Sequence, residues 1–236
     1  MSPATTHGPE GVLVAIAHGS AVPQAAGTIA DLMTVVAERA ARRGVDLPDL
    51  RIAYLDHAMP SLPQVLSTIE PGTRVAVLPL LLTAAYHSKT DIPRVLGDFP
   101  RLRVSYGAPL GPHPLLIRAL ERRVAEADPG VLEDPAQTGV VLAAAGSSDP
   151  DANAAIAHLA ARWQARAGWL AVRPAYASAA GPSPAATITS LLRDGARRAV
   201  VATYCSPRAT SPSGSGTPRS RRAPPPSARY SAPRPK

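Results

Sequence analysis

Cysteine is almost missing from this chain: one residue, Cys205, in 236. That excludes a disulfide framework and a zinc module built on several thiolates. Long apolar runs are missing too. The longest, residues 75–85, contains Pro79 and is too short to span a bilayer. Residues 1–11 show no basic cluster followed by an apolar core, so no secretion signal is expected. A cytoplasmic protein with no membrane partner is the expectation. Lysine is scarce as well, with Lys89 the only one in residues 1–204. What remains is ample material for one large domain or two small ones.

The formal net charge of +8 comes from 25 Lys and Arg against 17 Asp and Glu. Its distribution argues against a nucleic-acid partner. Residues 205–236 hold seven basic side chains, no acidic one and eight of the 27 prolines. Without them, residues 1–204 carry 18 basic and 17 acidic side chains, a net of +1. A segment so poor in large apolar groups cannot offset its ordering entropy, so 205–236 is predicted to be a disordered basic Pro/Ser-rich tail. Residues 1–10 are predicted to be a disordered leader.

Between these ends, short β-type runs alternate with helical patterns. Residues 11–17 (GVLVAIA) are continuously apolar and lead into His18, Gly19 and Ser20, as a buried parallel strand entering a loop would read. Residues 23–43 place Ile29, Leu32, Met33, Val36 and Ala40 at helical spacing, with Gly44 where a C-cap belongs. Further strands are predicted at 51–55, 74–82 and 102–106, and helices at 61–69, 91–97 and 114–127. The alternation specifies a parallel sheet covered by helices.

The pattern then recurs. Residues 139–145 (GVVLAAA) run into Gly146 and Ser147, followed by a helix at 151–167, a strand at 170–174, a helix near 185–193 and a strand at 198–204. This self-similarity, at an offset of about 124–127 residues, predicts an α/β protein of two similar halves. They span 11–127 and 138–204, joined by a linker at 128–137. The second half is incomplete, because the first continues for about 47 residues past its third strand. One nucleotide inserted after the Tyr204 codon can convert the following CSPRA into LLAPG, which matches the Leu80–Leu82 region far better. Residues 205–236 are therefore expected to be a frameshifted reading of the final units, which sequencing the gene would decide.

Ligands of open α/β sheets bind at the carboxyl ends of strands. His18 follows the first strand, Asp56 and His57 the second, and His87 the third. Two neutral imidazoles and a carboxylate make an open site for a divalent first-row metal. A lone histidine after a strand serves equally as a loop or capping group. His57 would face away from Asp56 on an extended strand and is left out. His113, between two prolines, reads as a rigid loop element. His158 reads as surface, and Trp163 and Trp169 as packing.

Four segments carry a resemblance: AHGS at 17–20, YLDHAMPSL at 54–62, LPLLLTAAYHSKTDIP at 78–93 and YGAPLGPHP at 106–114. They resemble the sirohydrochlorin chelatases of the CbiX and SirB types, over nearly all of the first half. The resemblance implies two chelatase-like halves, the long form of the family. It also implies a class II chelatase, a lyase inserting Fe²⁺ or Co²⁺ into sirohydrochlorin without ATP, for siroheme or cobalamin. The metal is substrate, and no tightly bound cofactor is implied. By position, His18 and His87 would be the catalytic histidines, and His18, Asp56 and His87 the metal-handling set. Asp56 stands where relatives often carry Glu. Gly19, Ser20, Lys89 and Arg94 would meet the carboxylates of the tetrapyrrole. Ala145 stands where a repeat of His18 would be, so one site is expected, in the first half. A non-catalytic carrier of metal or tetrapyrrole would use the same residues. A phosphoryl-transfer enzyme with His18 as nucleophile would want an arginine beside it, and there is none.

Overall fold

The computed structural model describes residues 11–84, 87–205 and 229–230. These divide into two compact units between Leu110 and Gly111. The first contains β1 (Val12–Ala17), α1 (Pro23–Arg42), β2 (Asp49–Tyr54), α2 (Leu62–Ser67), β3 (Arg74–Pro79), a π-turn (His87–Asp91), α3 (Ile92–Gly97) and β4 (Arg103–Tyr106). Its four strands are parallel, in the order β2-β1-β3-β4. β1 is central, which is why VLVAIA has no polar position. Val14, Ile16, Val75 and Val77 pack against Leu62 and Leu66 of α2 and Ile92 of α3. Each fully buried side chain of this size contributes about 1.5–3 kcal/mol. The helical stripe read in α1 is only partly buried: Met33 is covered, whereas Leu32, Val35 and Val36 are exposed.

The second unit contains α4 (Pro114–Ala127), β5 (Thr138–Ala144), α5 (Pro150–Ala167), β6 (Ala171–Tyr176), α6 (Pro184–Arg193), β7 (Arg198–Tyr204) and β8 (Arg229–Tyr230). The sheet order is β6-β5-β7-β8, in which β6, β5 and β7 are parallel and wound like β2, β1 and β3, and β8 is antiparallel. Val141, Ala175, Ile188, Leu191 and Ala199 form one core cluster. Trp163 of α5 is fully buried, packs edge-to-face on Trp169 with ring centroids 6.4 Å apart, and donates its Nε1–H to Glu121 of α4 at 3.0 Å. Both tryptophans are packing groups, as read from the sequence.

Three features add to the sequence reading. α4, which the sequence repeat places at the end of the first half, buries Ile117, Leu120 and Val124 in the second unit, where it packs on β7. The segment 128–137 forms two short 3₁₀ turns, Pro129–Leu132 and Pro135–Gln137. Arg198 ties them to β7 through Gly130 O and the Thr138 hydroxyl. Finally, Arg229 and Tyr230, read as part of a disordered tail, pair antiparallel with Val200 and Ala199. The backbone groups along that side of β7 supply the template. Residues 206–228 and 231–236 of that tail, and the leader, lie outside the described residues. Among the described residues no helix is long and apolar enough to cross a membrane.

Burial pushes the Tyr204 phenol up from its ordinary 10 to about 12. Below pH 10 both folded and unfolded chains hold this proton. Above it only the folded chain does, so stability falls as the pH rises from 10 towards 12, by about 2–3 kcal/mol in all. Urea denaturation across this range should show the fall in the wild type and a smaller one in Tyr204→Phe.

Candidate metal-handling site

The strand register sets the site. Ala17 of β1 is level with Tyr54 of β2, so the two chains leave the sheet side by side. Their loops stay bonded: Leu55 N–H donates to Ala17 O at 3.1 Å and Asp56 N–H to His18 O at 2.9 Å. Gly19 makes this approach workable. Its φ is +92°, and a Cβ there would stand 1.7 Å from Asp56 O. The glycine thus serves both a left-handed backbone and a contact that no side chain permits.

His87 reaches the same place from the segment after β3. The His18 and His87 rings meet edge-to-face, with centroids 5.0 Å apart. His18 Nε2 is shut off from solvent, and its Nδ1 lies 3.4 Å from Gly19 O. His87 Nδ1 lies 2.8 Å from Asp91 Oδ2. The π-turn carrying both residues is pinned at Ser88, buried to 5% exposure, whose carbonyl accepts from the Tyr106 hydroxyl at 2.8 Å. Burial raises the Tyr106 pKa, so the phenol keeps the proton it donates. Tyr106→Phe should cost about 1 kcal/mol of stability, by urea denaturation, for the one bond lost.

Asp56 behaves differently from the sequence expectation. β2 ends at Tyr54, so the strand alternation that separated Asp56 from His57 no longer applies. His57 adopts φ +56°, and both Asp56 oxygens turn to it. Oδ1 accepts from the His57 N–H at 2.8 Å, and Oδ2 lies 3.1 Å from His57 Nε2. Among the described residues no group of three or more His, Cys, Asp or Glu is arranged to hold a metal ion. The structure therefore brings together His18 and His87, and leaves Asp56 paired with its neighbour. Lys89 and Arg94 are exposed on the π-turn and α3. The Ser20 hydroxyl accepts from Val22 N–H at 3.1 Å, at the entry to α1. His113 caps α4, its Nδ1 accepting from Leu115 N–H at 3.2 Å, and His158 is exposed.

The second unit repeats the site's backbone without its side chains. Gly146 has φ +86° and would place a Cβ 1.9 Å from Ser178 O. Ala177 and Ser178 donate to Ala144 and Ala145 as Leu55 and Asp56 do to Ala17 and His18. Ala179 has φ +58°, matching His57. By this superposition of bonds, Ala145, Ser178 and Ala179 stand for His18, Asp56 and His57. Only the first of these correspondences was legible in the sequence.

The family model described as CbiX matches residues 12–127 and 139–205. This chain belongs to the CbiX family. Its matched region takes in both units and ends at the close of β7. Among its relatives, the sirohydrochlorin ferrochelatase of Priestia megaterium is 32% identical over 174 residues, which is 71% of this chain and 62% of the relative. That of Bacillus subtilis is 30% identical over 185 residues, 76% of this chain and 67% of the relative. The sirohydrochlorin cobaltochelatase of Priestia megaterium is 28% identical over 158 residues, covering 64% and 51%. The chain thus spans about three fifths of the length of the first of these relatives. In structure it is similar to SirB from Bacillus subtilis with Fe³⁺, at a TM-score of 0.59 and 28% identity, over 77% of this chain and 71% of that one.

Proposed function

We propose that this chain inserts a divalent metal, Fe²⁺ or Co²⁺, into sirohydrochlorin without ATP, in keeping with the ferrochelatase and cobaltochelatase names of its relatives. The observation that carries the reading is the His18–His87 pair, two imidazoles from separate loops held 5.0 Å apart at the carboxyl end of the sheet. Metalation exchanges two pyrrole N–H protons for one M²⁺, so the site must present the cation and take up protons. Neutral imidazole does both: it binds first-row cations, releases them more readily than thiolate does, and accepts a proton near neutral pH. Two protein donors leave coordination positions open for ring nitrogens, which a closed structural cage would not.

Asp56, next to His18 along the chain-to-chain bonds, adds negative charge that favours both the cation and an imidazolium formed beside it. It does so while paired to His57. Lys89, two residues past His87, and Arg94 of α3 are both exposed and are suited to the substrate's carboxylates, with Arg able to pair in a bidentate manner. Divalent affinity at such nitrogen and oxygen donors rises towards nickel and copper, so the metal inserted follows supply more than intrinsic preference.

The test is anaerobic incubation of the purified chain with sirohydrochlorin and Co²⁺ or Fe²⁺, following the absorbance change of the macrocycle. Metalation faster than the spontaneous reaction, with many turnovers per protein, is the expected result. Tight binding of metal and tetrapyrrole with no acceleration would replace this reading by that of a carrier.

A further inference from the structure

We propose that Asp91 is a positioning residue. Its carboxylate fixes the neutral His87 imidazole in the Nδ1–H tautomer and so reserves the Nε2 lone pair for a metal ion or a pyrrole proton. This inference rests on the reading of His87 as a metal-handling group.

The argument begins with donor and acceptor roles. His87 Nδ1 and Asp91 Oδ2 are 2.8 Å apart. A carboxylate can only accept, so the proton in this bond belongs to Nδ1. A neutral imidazole has one N–H, and Nε2 is therefore left with its lone pair. The opposite tautomer would set two acceptors against each other at Nδ1 and place an N–H where a cation must come. Metal-binding histidines commonly have their second nitrogen held by a carboxylate in this manner, which both orients the ring and raises its basicity.

The surroundings hold the pair in place. Asp91 ends the π-turn and is followed by Ile92, which is fully buried in the first core. Ser88, immediately after His87, is buried and bonded to Tyr106. The two residues thus occupy opposite ends of a turn anchored next to each. π-turns are rare and concentrate at functional sites, which fits a turn shaped around this contact. Asp91 meets the ring at Nδ1, on the other nitrogen from the one assigned to the metal. His18 is oriented alike, more weakly, by its 3.4 Å contact from Nδ1 to Gly19 O.

The experiment uses the full chain, metal-free, with ¹⁵N-labelled histidine at mildly alkaline pH. Long-range ¹H–¹⁵N spectra report the tautomer of each ring, and Co²⁺ titration reports affinity. In the wild type His87 is expected as Nδ1–H. Asp91→Asn should shift His87 towards Nε2–H and weaken Co²⁺ binding about 10–100-fold, the range typical for such supporting groups. The His18 tautomer and the far-UV circular dichroism should not change. A wild-type His87 protonated on Nε2 would overturn the inference, and this measurement needs no variant to fold. So would an Asn variant that loses affinity with its tautomer intact, or changes tautomer with its affinity intact. A wild type that shows the tautomer and the Asp91 dependence but never metalates sirohydrochlorin would remove the catalytic reading and leave this inference standing.

Discussion

Replacing His18 and His87 together by alanine is expected to lower the rate of metal insertion by roughly 10²–10⁴-fold, the range for loss of a positioned acid–base group. The measurement is the macrocycle absorbance under anaerobic conditions, with circular dichroism to show that the variant is folded. The two rings are in contact, 5.0 Å between centroids, so they should act as one unit. Either single variant should then lose nearly as much as the double, because contacting groups that share a task are not additive. Independent, multiplicative losses would mean that the imidazoles serve separate steps. A double variant as fast as the wild type would remove both from the chemistry.

Gly19→Ala should be the most damaging single substitution in this loop. The left-handed φ costs a non-glycine residue about 1–3 kcal/mol, and relieving the 1.7 Å clash with Asp56 O brings the total to about 2–4 kcal/mol. Urea denaturation gives the number. Metal insertion should fall with it, since Asp56 O can retreat only by breaking the bond from Asp56 N–H to His18 O. Gly146→Ala, with its Cβ 1.9 Å from Ser178 O, should cost a similar amount in the second unit. A Gly19→Ala protein of wild-type stability would show that the two loops tolerate separation.

The sequence made the architecture legible where periodicity was strong. VLVAIA and GVVLAAA are central parallel strands, and the repeat between them is seen in both sheet orders. The convergence of His18 and His87 was also legible, because each follows a strand of one parallel sheet and such ends lie together. What sequence could not show depended on where strands stop. Two residues beyond the end of β2, strand alternation fails, and Asp56 and His57 face each other. The Asp91 contact was hidden inside a pattern that reads as the start of an ordinary helix. The place of α4 was hidden for another reason. Its apolar face fits either sheet, and only tertiary packing decides which one takes it.

The matched backbones of the two loops allow a comparison within one molecule. Gly146 and Ala179 reproduce the positive φ of Gly19 and His57, and Ser178 repeats the backbone bond of Asp56, without an imidazole. The second unit is therefore a blank for the first, synthesised and folded in the same chain. Broadening of amide resonances by Co²⁺ in both loops would assign affinity to the shared backbone. Broadening confined to the loop of His18 would assign it to the side chains that the second loop has exchanged for alanine and serine.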